Sequence, residues 1–103
     1  MAEVNPSLML PPDVAGVLAD RVRKLRLQRE WKRSTLAERS GVSAASLKRF
    51  ETTAKVSLAS LLKLAHALGR LSEFADLLRP PQARSIDELE ARSSEPIRKR
   101  GRR

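Results

Sequence analysis

Arg33-Ser34-Thr35-Leu36-Ala37-Glu38-Arg39-Ser40-Gly41-Val42-Ser43-Ala44-Ala45-Ser46-Leu47-Lys48-Arg49-Phe50 is the stretch on which the fold turns. Gly41 divides it, because glycine reaches the left-handed conformation that closes a helix without a steric penalty. Ser43 then offers a hydroxyl to cap a second short helix, running to about Glu51 with Leu47 and Phe50 on one face. Leu36 and Val42 complete an apolar set between the two helices, and Ala37 is small enough to let them approach closely. Two short helices meeting steeply across a tight turn need this combination, and the joint spacing is far more specific than any one residue.

Outward from this pair, the chain reads as helices with short connections. Pro6, Pro11 and Pro12 mark an extended N-terminal arm over residues 1–13. Asp13 is the expected cap of a first helix from Val14 to near Glu30, with Leu18, Val22 and Leu25 at four- and three-residue steps. Thr52–Val56 reads as a turn. Ser57 caps the next helix, whose stripe is Leu58, Leu61, Leu62, Ala65 and Leu68, and Gly69 ends it. A last short helix spans Leu71–Leu78 and stops before Pro80-Pro81. Residues 14–80 therefore form one all-α, five-helix domain. Residues 81–103 are a tail, with a helical turn at Ser85–Ala91 and a disordered basic end, Arg98–Arg103, that has nothing to bury.

Composition narrows the function. Lys and Arg number 21 against 12 acidic residues, a net charge of +9. The segment Val14–Glu51 alone holds ten basic residues and four acids. Such a surplus attracts a polyanion, nucleic acid first and an anionic membrane surface second. No apolar run approaches the roughly 20 residues of a membrane span, and Met1–Leu10 has no secretory-leader pattern, so the cytoplasm is the expected compartment. Cysteine is absent, which removes disulfides and thiolate metal sites. His66 has no second ligand or carboxylate at a useful spacing, and no phosphate loop or nucleophile–base arrangement occurs. Neither an enzyme nor a cofactor is expected. Trp31 reads as a core staple at the exit of the first helix.

The sequence resembles the Cro/CI-repressor-like (XRE) helix-turn-helix family, whose fold is lambda-repressor-like. The likeness lies in Val22-Arg23-Lys24-Leu25-Arg26, Leu36–Ser43, Phe50-Glu51 and Leu61–Gly69. It implies a DNA-binding transcriptional repressor whose recognition helix, Ser43–Glu51, lies in the major groove of double-stranded DNA. Base contacts are then expected from Ser43, Ala44, Ala45, Lys48 and Arg49, with Arg49 able to donate twice to guanine and alanine methyls to meet thymine methyls. Phosphate contacts are expected from Arg33, Ser46, Thr52, Thr53 and Lys55. The resemblance also implies a scaffolding ion pair between Arg26 and Glu51. Two features depart from the family pattern. Lys32 stands where a capping side chain is usual, so the cap is expected to move to Ser34 or Thr35, with Glu38 closing a box from Thr35. The turn after Glu51 lacks a glycine, so Thr53-Ala54 must find another route.

Regulators of this size dimerise on inverted repeats, because one recognition helix reads few base pairs. Leu71, Phe74 and Leu78 are the expected homodimer surface, with core packing as the other reading of the same side chains. The segment Leu71–Leu78, Pro80-Pro81 and Ala83–Leu89 resembles HipB-type antitoxins. That likeness implies autorepression and a HipA-like kinase toxin as partner. A stand-alone regulator of another operon, or an RNA-binding protein driven by the basic tail, are the alternatives.

Overall fold

The computed structural model describes residues 8–82, and these form five helices. They are α1 (Pro11–Gln28), α2 (Arg33–Ser40), α3 (Ala44–Thr53), α4 (Leu58–Ala67) and α5 (Leu71–Ala75). Among the described residues there is no strand. α2 packs on both α3 and α4, α1 lies against α3, and α5 returns onto α4. Residues 1–7 of the expected arm, the turn expected at Ser85–Ala91 and the basic end Arg98–Arg103 lie outside the described residues.

The core follows from helical spacing. Leu36, Leu47, Phe50, Leu64 and Leu68 are fully buried, with Ala19, Val22, Val42, Leu61 and Ala65 around them. Each large side chain withdrawn from water contributes about 1.5–3 kcal/mol, and the core they form joins α2 to α3 and α4 and α1 to α3. Trp31 is half-buried against this core, and two guanidinium groups lie over its ring, Arg29 at 5.1 Å and Arg39 at 4.6 Å from the ring centre. Arg29 also donates to the Leu68 carbonyl at 2.9 Å. That bond ties the exit of α1 to the C-terminal end of α4, where a cation suits the helix dipole.

The turn chemistry around α2 and α3 holds as the sequence suggests. Gly41 is left-handed (φ 83°), and its N–H reaches the Ala37 carbonyl at 2.9 Å. The Ser43 hydroxyl accepts from the Ser46 N–H at 3.0 Å, and Ser57 accepts from Ser60 at 3.1 Å.

Several boundaries differ from the sequence reading. α1 begins at Pro11, not Val14, because proline lacks the N–H that a first-turn residue leaves unbonded anyway. Asp13 is therefore not the cap but a third helical residue, and its carboxylate accepts from the Leu10 N–H at 2.9 Å. α1 also ends at Gln28 rather than Glu30, which turns left-handed (φ 58°). α2 starts at Arg33 with Lys32 in the cap position and no side-chain cap, so neither Ser34 nor Thr35 takes that role. α3 runs on to Thr53, and the missing glycine is answered by Ala54 itself entering the left-handed region (φ 63°). In α4 Leu58 is 68% exposed, because it opens the first turn on the outer side, while Leu64 takes its place in the core. α5 is a short turn of helix closing at Ala75, and Leu78 adopts a left-handed conformation (φ 59°) instead of continuing it.

Candidate nucleic-acid interface

α3 divides its residues cleanly. Leu47 and Phe50 are buried on the side of α3 that packs against α1 and α2, which turns Ala44, Ala45, Lys48, Arg49 and Thr52 to solvent. The exposed set recurs at three- and four-residue steps and so lies along one side of the helix. It combines two long cations with small residues that leave room for close approach. Ser43 and Ser46 are exposed at the N-terminal end of α3, bonded to each other through the cap and through their hydroxyls at 2.9 Å. Lys55 is exposed beyond the C-terminal end.

A charged cluster fixes the inner side of α3. The Arg26 guanidinium donates to both carboxylate oxygens of Glu51, each at 2.9 Å, and its third nitrogen donates to the Trp31 carbonyl at 2.8 Å. The Arg26 side chain is 8% exposed and that of Glu51 only 1%. Arg33 joins the same carboxylate through Nε at 3.0 Å, with its side chain 39% exposed. Burial opposes ionisation of Glu51, but the hydrogen bonds and charges of Arg26 and Arg33 outweigh it and hold the carboxyl below its ordinary value. Three helices thus meet at one carboxylate: α1 through Arg26, the start of α2 through Arg33, and α3 through Glu51. A bidentate pair of this kind constrains angle as well as distance, so α3 is held at a set inclination to the rest of the domain.

The helix-turn-helix family model matches residues 22–74, more than half of the chain. The chain belongs to the XRE-type helix-turn-helix family. No curated protein and no solved structure matches it. This helix-turn-helix family is one of DNA-binding transcription regulators, and among the described residues no helix is long and apolar enough to cross a membrane.

Within the helix-turn-helix domain the remaining expected site residues fall into two groups. Ser43, Ala44, Ala45, Ser46, Lys48, Arg49, Thr52, Thr53 and Lys55 all reach solvent on or beside α3. The Thr52 and Thr53 hydroxyls, however, donate back to the Lys48 and Arg49 carbonyls at 2.8 and 2.6 Å, so their protons are already engaged within the helix. Arg33, expected on phosphate alone, is shared with Glu51, a pairing that depends on how α2 crosses α3 and has no local signal in the sequence. Of the expected dimer surface, Leu71 is 39% and Leu78 98% exposed, whereas Phe74 is half-buried against the core. Leu77, 60% exposed, stands beside them. His66 is exposed on α4.

Proposed function

We propose that this helix-turn-helix protein is a cytoplasmic, sequence-specific repressor that binds double-stranded DNA as a homodimer on an inverted repeat. The observation carrying this reading is the solvent face of α3. Lys48 and Arg49 project from a helix whose opposite face is fully buried and whose inclination is set by the Arg26–Glu51 pair. Arg49 is the base reader, donating to guanine, with Ala44 and Ala45 close to base edges and Lys48 beside them. Ser43, Ser46 and Lys55 stand by the phosphates. Arg33 uses Nε on Glu51, which leaves its two terminal nitrogens for a phosphate oxygen. The exposed Leu71, Leu77 and Leu78 supply the apolar surface for the second copy.

The likeness of Leu71–Leu89 to HipB-type antitoxins supports a narrower role, an autoregulating antitoxin that restrains a HipA-like kinase toxin. A kinase-like protein encoded beside this gene and co-purifying with it is the expected finding; the absence of both removes that role and leaves a stand-alone regulator. For DNA recognition itself, Arg49→Ala is expected to cost about 1–3 kcal/mol on the selected operator and to relax base choice at one position in each half-site. Equal weakening on every duplex would make Arg49 a phosphate contact and move base reading elsewhere.

A further inference from the structure

α1 and the α4–α5 pair do not close completely on each other. Between them lies a groove of about 230 Å³ walled by Leu18 and Leu25 of α1, Leu61 of α4 and Phe74 of α5. Leu18, Leu25 and Phe74 are only half-buried, so the groove is an apolar surface open to water. The charged residues that line it are Arg21, Arg70 and Glu73. Arg70 is paired with Glu73, whereas Arg21 has no ion-pair partner among the described residues. None of the lining residues belongs to α2 or α3.

We propose that this groove seats the chain's own segment Ser85–Ala91, Ser-Ile-Asp-Glu-Leu-Glu-Ala. Three features select that occupant. Ile86 and Leu89 are three residues apart, the spacing that puts two side chains on one face of a helical turn, and the groove has room for more than one aliphatic side chain. Asp87, Glu88 and Glu90 make this stretch acidic with no cation in it, in a chain of net charge +9, and they complement Arg21, which has no ion-pair partner among the described residues. The tether also suffices: Ile86 follows Leu78 by eight residues, a reach of up to about 28 Å. Phe74, only four residues before Leu78, is itself a wall of the groove. With the segment seated, apolar surface of α1, α4 and α5 leaves water, and the DNA-reading face of α3 stays open.

The test uses the full chain. Ser85→Cys introduces the only cysteine, a nitroxide is attached to it, and methyl resonances of Leu18, Leu25 and Leu61 are followed. Loss of these signals, restored when the nitroxide is reduced and independent of protein concentration, is the expected result. Adding Ile86→Asp and Leu89→Asp is expected to bring the signals back while the amide spectrum of residues 8–82 keeps its dispersion. Unchanged methyl signals would overturn the proposal. So would broadening seen only when a spin-labelled, isotopically unlabelled copy is mixed with a labelled one, which would assign the groove to a second copy.

Discussion

Replacing Arg26 by alanine tests whether a single carboxylate organises the domain. In the structure Arg26 contributes both bonds of a bidentate pair and a third bond to the Trp31 carbonyl, all between 2.8 and 2.9 Å. Its removal leaves Glu51, 1% exposed, with the single Nε–H of Arg33. Breaking a buried pair by deleting one partner costs about 3–5 kcal/mol. At roughly 0.05–0.15 kcal/mol per residue, the 75 described residues hold about 4–11 kcal/mol in total. Arg26→Ala is therefore expected to remove from about a quarter to all of the domain's stability, read as a fall in the urea midpoint followed by far-ultraviolet circular dichroism. The double variant Arg26→Leu/Glu51→Leu is expected to recover most of the loss, since apolar side chains need no partner there. A cost below about 1 kcal/mol for Arg26→Ala would refute the reasoning, because that is the value of a solvated surface pair. Acid sharpens the test. Glu51 ionises more readily in the folded protein than in the unfolded chain. Its stabilisation is thus complete above the ordinary carboxylate range, near pH 4.3, and is lost as pH falls through the lower folded value. Arg26→Ala is expected to flatten that acid-side decline relative to the parent protein.

Two further outcomes follow from the same geometry. Arg33→Ala is expected to weaken binding to all duplexes alike and to lower the slope of log K against log salt by about one; an unchanged slope would confine Arg33 to its bond with Glu51. Ala54→Gly is expected to stabilise the domain by about 0.5–1 kcal/mol in thermal unfolding, because Ala54 holds a left-handed conformation that glycine adopts without strain. A loss of stability would mean that the Ala54 methyl, packed against the core, outweighs the strain.

What the sequence showed clearly was local. Gly41, Ser43 and Ser57 act within three or four residues of themselves, and Leu47 and Phe50 follow from helical period, so the turn and the outward face of α3 are legible in the sequence. The resemblance supplied the Arg26–Glu51 pair, which no local pattern encodes. Two features that the sequence left open depend on where helices cross. Arg33 meets Glu51 only because the start of α2 lies over the end of α3. Leu58 and Leu64 both fit a helical stripe, and only the position of α2 against α4 decides that Leu64 goes inward. Lys32 serves as a cap residue without a capping side chain, an outcome that side-chain preference argues against. Pro11 and Ala54 show the reverse, backbone preferences overridden or reused at helix ends, where competing signals lie a residue or two apart.

The central claim, that the exposed face of α3 reads duplex sequence, is tested most directly by titrating the full chain across a salt series. The two targets are DNA from upstream of its own gene and a scrambled duplex of equal length and composition. The account predicts a preference of at least about a thousandfold for the native duplex at physiological salt. Equal affinities, falling steeply together as salt rises, would contradict it and reduce the interaction to charge alone.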